Sequence, residues 1–111
     1  MHPAPRHHLL LCTCPDVTQA TRLAEQLVEE ELAACVNLVP GLTSIYRWAG
    51  EIARDSEVLL LIKTSATRSR ALIDRLAELH PYETPEAIAV PITEGLADYL
   101  NWIDTATGAH P

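Results

Sequence analysis

Two cysteines stand two residues apart in Cys12-Thr13-Cys14. Alternate side chains of an extended chain share a face, so both thiols would point the same way. Far along the chain His80 precedes Pro81, and Tyr82, Glu83 and Glu86 follow. Thiolate and imidazole together suit copper or zinc. One Cys-x-Cys pair is a weaker signal than paired CxxC motifs at zinc-finger spacing. The plainer alternative makes Cys12, Cys14 and Cys35 small core residues, since free cysteine is among the most buried types. His80 also has a purely structural reading, because a charged imidazole complements the C-terminal end of a helix. The stretch from Tyr82 to Glu86 is either a rigid polar loop that carries a site or a proline-locked link that aims the next strand. His7 and His8 read as incidental neighbours in a terminal arm.

A second group lies along one hairpin: Trp48, Glu51, Arg54, Asp55, Glu57 and Lys63. In an oligomer these residues are candidates for a cleft between subunits that holds a small polar ligand, with Trp48, Glu51, Lys63, Tyr82, Glu83 and Glu86 as the chosen set. The same charges also fit a solvated hairpin face with ion pairs between subunits. An enzyme would need a nucleophile with a positioned base. Cys12 or Cys35 with His80 offers such a pair, but no nucleophile elbow, phosphate loop or HExxH accompanies it. The chain is read as non-enzymatic.

These residues need elements to hold them. Residues 8–14 read as a strand buried on two faces, stopped by Pro15. Asp16 is a good N-cap, with Gln19 three residues on. Val17, Ala20, Leu23, Ala24, Leu27 and Val28 then recur at helical spacing, to about Leu32. Residues 34–48 and 51–64 form two long strand-favouring arms, with Pro40-Gly41 as a bulge and Ala49-Gly50 as the tight turn. Val58 to Ile62 is aliphatic on both faces, as in a strand at the middle of a sheet. Ser65 or Thr67 opens a second helix with Leu72, Ile73, Leu76 and Leu79 inward, closed by His80-Pro81. Residues 87–92 make a fourth strand, and a short helix after Gly95 carries Leu96, Tyr99, Leu100, Trp102 and Ile103.

This order predicts an α+β fold, a ferredoxin-like βαββαβ sandwich with a long central hairpin and a C-terminal helix. Each arm is about twice the usual strand length of ~5–6 residues. Its far end would project beyond the two helices, leaving backbone and rings such as Ile45, Tyr46 and Trp48 uncovered. Pairing with sister copies in a closed ring is the simplest remedy.

The 111 residues fit one domain, placed at 8–106, with a loose arm at 1–7 and a tail at 107–111. With 48% hydrophobic residues, a core can form without staples. The net charge of -7 repels phosphate backbones, and no basic stripe offsets it, so nucleic acid is excluded. The same charge makes cations natural partners. The longest aliphatic run is far too short to span a bilayer. Residues 1–8 lack an apolar stretch behind a basic one, so no signal peptide is expected there. With an odd three cysteines, a reducing cytoplasm is the consistent location.

Five blocks, in order, resemble the CutA divalent-cation tolerance family. They are Leu11-Cys12-Thr13-Cys14-Pro15-Asp16, Leu32-Ala33-Ala34-Cys35-Val36-Asn37-Leu38-Val39-Pro40-Gly41, Thr43-Ser44-Ile45-Tyr46-Arg47-Trp48, Glu57-Val58-Leu59-Leu60-Leu61-Ile62-Lys63-Thr64 and His80-Pro81-Tyr82-Glu83-Thr84-Pro85-Glu86. The resemblance implies a homotrimer whose long hairpins pair between subunits, likeness to PII-type signalling trimers, and a link to tolerance of copper and other divalent ions. In copper-binding members the ligands are a Cys of the first-strand motif and two consecutive His before Pro-Tyr. Cys12 and His80 match two of these positions, and Leu79 stands at the third. The function so implied is metal response, with copper or another divalent cation bound by thiol and imidazole. The alternative is a PII-like regulatory trimer with a small molecule at the subunit interface, or a non-catalytic scaffold.

Overall fold

The computed structural model describes residues 4–108. Strand β1 (His7–Cys14) sends Leu10, Cys12 and Cys14 to one face, where all three are buried. Pro15 ends it, and helix α1 (Val17–Glu29) starts on Asp16, whose Oδ1 accepts from Gln19 N–H at 2.8 Å. The Gln19 side chain donates to Oδ2 of the same carboxylate at 2.9 Å. Helix α1 stops three residues short of the expected Leu32. Glu31 turns into the left-handed region at φ 58°, so Glu31 N–H reaches Val28 O and Leu32 N–H reaches Leu27 O. These two bonds satisfy carbonyls that the helix end would otherwise orphan, and Leu32 packs in the same cluster as Leu27. Val17 and Val28, expected on the buried stripe, are exposed; Ala20, Leu23, Ala24 and Leu27 carry it.

Strands β2 (Cys35–Trp48) and β3 (Glu51–Ser65) form the long hairpin. Ala49 and Gly50 both have positive φ, 52° and 81°, as the two-residue turn that matches strand twist requires. Helix α2 (Ala66–Leu79), strand β4 (Ile88–Ile92) and helix α3 (Ala97–Ala106) complete the chain. The sheet order is β2-β3-β1-β4, with every neighbouring pair antiparallel. Helices α1 and α2 cover one face, burying Leu23, Leu27, Leu72 and Leu76 against Leu10, Leu60 and Ile62. The α+β ferredoxin-like architecture expected from the element order is the one observed.

The opposite face has less cover. Register places Leu11 between Leu61 and Ile88, and Leu9 between Lys63 and Val90. Ile88 and Val90 are exposed there. Helix α3 closes only the end at His7 and Ser65. His7 Nε2 lies 2.9 Å from Asp104 Oδ1, the Thr107 and Ser65 hydroxyls are 3.0 Å apart, and Arg68 Nε donates to Thr107 O at 2.7 Å. His7 and Thr107, assigned by sequence to the arm and the tail, are thus buried parts of the fold, because polar partners on α3 and β3 hold them. Residues 1–3 and 109–111 of that arm and tail lie outside the described residues. No helix among the described residues is long and apolar enough to cross a membrane.

The hairpin outruns its cover, as expected. Ile45, Trp48 and Ile52 are 64%, 54% and 69% exposed. Midway, Val39 pairs with Leu59 and Leu42 with Glu57, so β2 takes three steps where β3 takes two. This bulge at Pro40-Gly41, with Gly41 at φ 84°, adds one residue. A one-residue shift exchanges the two faces of everything beyond it. Because of it Ser44, Tyr46 and Trp48, and not Thr43, Ile45 and Arg47, share a face with Asp55 and Glu57.

Deleting Gly41 is therefore expected to turn Tyr46 and Trp48 to the other face. Urea unfolding should show a loss of roughly 1–3 kcal/mol, in the range of disrupted packing. The Tyr46–Asp55 contact should vanish from side-chain NMR spectra. An unchanged midpoint with that contact intact would show that the bulge does not set the register. Separately, Asp16→Ala should cost about 1 kcal/mol through the lost cap.

Candidate functional site

The strand period of two puts Cys12 and Cys14 together on the helix side of β1, both fully buried. His80 is the residue before a proline, which holds its backbone extended at φ -74°, ψ 140° and ends α2. From that cap its ring reaches β1. Nε2 lies 2.8 Å from Thr13 O and 3.6 Å from Cys14 Sγ. The donor atoms of Cys12, Cys14 and His80 all fall within 4.8 Å of one another. Two thiols and an imidazole at this spacing are the donor chemistry that soft first-row metals take.

The ring has commitments of its own. Tyr82 N–H donates to Nδ1 at 3.1 Å, so Nδ1 is the acceptor and the proton sits on Nε2, donated to Thr13 O. Hydrogen bonding to Cys14 and burial push the Cys12 thiol far above its ordinary range, while the same contact pulls Cys14 down. Cys14 is the thiol closer to ionisation, and Cys12 keeps its proton.

Thr13, between the two cysteines, points to the other side of the sheet and into a cleft of about 650 Å³. Its walls include Tyr46, Trp48, Asp55 and Glu57 from the hairpin and Tyr82, Glu83 and Glu86 from the loop after α2. Tyr82 OH donates to Glu57 Oε2 at 2.7 Å, and Tyr46 OH donates to Asp55. Both phenols are raised above their usual range, Tyr82 first by burial and then by Glu57, Tyr46 first by its bond to Asp55. Tyr82 touches both regions: its N–H holds His80, its ring lies 4.7 Å from the imidazole, and its hydroxyl holds Glu57.

Of the residues singled out by sequence, Cys12 and His80 meet, and Trp48, Tyr82, Glu83 and Glu86 meet in the cleft. Glu51 and Lys63 do not line it. Glu51 sits at the hairpin turn opposite Trp48. Lys63 is at the far end of β3, where its amine bonds Asn37 Oδ1 and lies 4.0 Å from Cys35 Sγ. Sequence reasoning placed Cys14 in the core; it put Asp55 and Glu57 among the cleft candidates, and both line the cleft, whereas Arg54 does not and Tyr46 was left out. Tyr46 could not be placed there by simple alternation, because the bulge decides its face.

A family model described as "CutA1 divalent ion tolerance protein" matches residues 8–106. A divalent-cation tolerance protein CutA of Thermus thermophilus is 52% identical over 100 residues, covering 90% of this chain and 97% of that protein. One from Salmonella newport is 43% identical over 102 residues, covering 92% and 89%. The crystal structure of CutA from Xylella fastidiosa superposes with a TM-score of 0.90 at 49% identity, covering 92% of this chain and 98% of that one.

Tyr82→Phe removes the hydroxyl that partners a carboxyl group only 7% exposed. It is expected to destabilise by roughly 1–3 kcal/mol in urea unfolding, the cost of a buried polar group left without its bond. A midpoint equal to wild type would mean that solvent replaces the phenol without loss.

Proposed function

The chain belongs to the CutA1 divalent ion tolerance family, and on that premise we propose that it is a cytoplasmic homotrimer that binds copper or a similar soft cation through Cys12, Cys14 and His80. The observation that carries the reading is the convergence of two thiols and one imidazole within 4.8 Å. Cys14 joins the pair matched to the family's ligands and offsets the missing imidazole at Leu79. The thiols fit such an ion by softness and spacing. The imidazole fits through Nδ1 once Tyr82 N–H lets go, or through Nε2 once its proton moves to Nδ1, which gives up both bonds.

The metal is cargo here, and no catalytic step is assigned. With Nε2 donating to Thr13 O and Nδ1 accepting from Tyr82, His80 is not poised as a base for Cys14. The trimer is supported by the exposed end of the hairpin and by Ile88 and Val90 on the open sheet face. The cytoplasm is supported by three free thiols.

Titrating the reduced protein with Cu(I) should show saturable binding that Cys12→Ser, Cys14→Ser and His80→Ala each weaken about tenfold or more. That is the loss expected for a lost ligand-shell contact of ~1.4 kcal/mol or above. Binding must release the Cys12 proton, so affinity should rise with pH between 6 and 8 by up to about one decade per unit for each proton released. Equal binding by the cysteine variants, or affinity flat in pH, would remove the site. Light scattering should give three times the chain mass, and Trp48→Asp should lower it; a single-chain mass at micromolar concentration would end the trimer. Cell fractionation that finds the chain outside the cytoplasm would end the compartment assignment.

A further inference from the structure

His80 is engaged at both ring nitrogens. Tyr82 N–H donates to Nδ1 at 3.1 Å, and Nε2 donates to Thr13 O at 2.8 Å. A backbone N–H cannot become an acceptor, so it decides which ring nitrogen stays bare. Nδ1 has one lone pair, and Tyr82 already uses it. Nε2 is near a thiol, 3.6 Å from Cys14 Sγ, but it carries the proton. Its lone pair is free only after that proton moves to Nδ1, where it would meet Tyr82 N–H donor against donor. Whichever nitrogen binds an ion, Tyr82 N–H loses its acceptor. A metal-ligating histidine ordinarily donates its second ring N–H to a carbonyl or carboxylate. Here a donor stands in that place, the reverse of a supporting contact.

Three features keep Tyr82 N–H in position. Its hydroxyl donates to Glu57 Oε2 at 2.7 Å, and Glu57 is a buried residue of β3. Its ring lies 4.7 Å from the imidazole. Pro81 and Pro85 stand on either side, and each fixes its own φ. A phenol bonded to a buried carboxyl group is costly to release, because the carboxyl group would be left without its partner. All of these contacts lie within one chain. None of them needs an open surface or a ligand in the cleft.

With Cys12, Cys14 and His80 read as the metal site, we propose that Tyr82, held by Glu57, is a lock that restrains loading of that site. Tyr82 is a positioning residue and not a ligand, and it acts through the His80 ring. Loosening it raises affinity for the ion. Removal of a residue that merely supported the site would lower it.

The test pairs Cu(I) titration of the reduced full chain against a competing chelator with histidine nitrogen NMR and amide exchange, both without added metal. Wild type should carry the His80 proton on Nε2 and show a protected Tyr82 amide. Tyr82→Phe should speed exchange at that amide and tighten Cu(I) binding about threefold to tenfold, the equilibrium value of one released hydrogen bond. Glu57→Gln keeps an acceptor for the phenol but weakens it. It should move both readouts in the same direction by less, and it carries the test if Tyr82→Phe does not fold. In a His80→Ala background Tyr82→Phe should gain nothing, since the lock acts through that ring. Glu25→Gln, on the exposed side of α1, should match wild type. Unchanged or weaker binding by Tyr82→Phe, a gain that survives His80→Ala, or a His80 proton on Nδ1 in wild type would each overturn the lock and leave the site standing. No Cu(I) binding by any form would remove the site, and the lock with it.

Discussion

Side-chain alternation along β1 is the constraint from which both functional regions follow. A strand has a period of two, so three consecutive residues serve two faces. Cys12 and Cys14 go inward under α1 and α2, and Thr13 goes outward to the cleft. Pairing extends the rule across the sheet, since Cys12 faces Leu60, Thr13 faces Leu59 and Cys14 faces Val58. The helix side is then closed and dry, suited to soft thiols in a buried pair. The other side stays open, and only there can carboxylates collect without the desolvation cost that burial on all sides would impose. Glu57 marks the border between these regimes.

Pro40-Gly41 makes the alternation serviceable beyond the core. Without its extra residue, β2 would offer Thr43, Ile45 and Arg47 to the carboxylate face. The rings would point away, and one guanidinium would neutralise what the carboxylates gather. The same feature explains why the hairpin can be long. A strand pair past the reach of α1 and α2 has no core to choose its register, so the choice is made once, at the bulge, by a glycine at positive φ. The price is a distal half whose apolar residues find no cover within one chain.

Much of this was legible in sequence, and the omissions have physical causes. The βαββαβ order, the Asp16 cap, the Ala49-Gly50 turn and the proline stop at His80 are local signals, read correctly because local chemistry decides them. The end of α1 was misplaced because Glu31 adopts a left-handed conformation that its residue type disfavours and that packing of Leu32 enforces. His7 and Thr107 looked terminal, but partners distant in sequence bury them. Residue chemistry raised Cys12 and His80 as candidate ligands, and family resemblance paired them. Cys14 looked like a core residue, and it is one; burial and ligand chemistry do not exclude each other in a thiol. Lys63 shares an arm with Glu57 but lies outside the cleft of a single chain. It lies six residues on, roughly 20 Å at strand rise.

Tyr82 gives the two regions a common element. Its N–H fixes which nitrogen of His80 carries the proton, and its hydroxyl fixes Glu57. An imidazole has two ring nitrogens, and both are engaged here. Any ligand that takes a lone pair from His80 must displace Tyr82 N–H from Nδ1, or move the proton from Nε2 and so abandon Thr13 O. In the second case Nδ1–H would face Tyr82 N–H, donor against donor, and the loop would have to shift. Either route presses on Tyr82, and through its ring and phenol on the wall of the cleft. The prolines on either side, Pro81 and Pro85, limit how the loop can yield, because each fixes its own φ and restricts the residue before it.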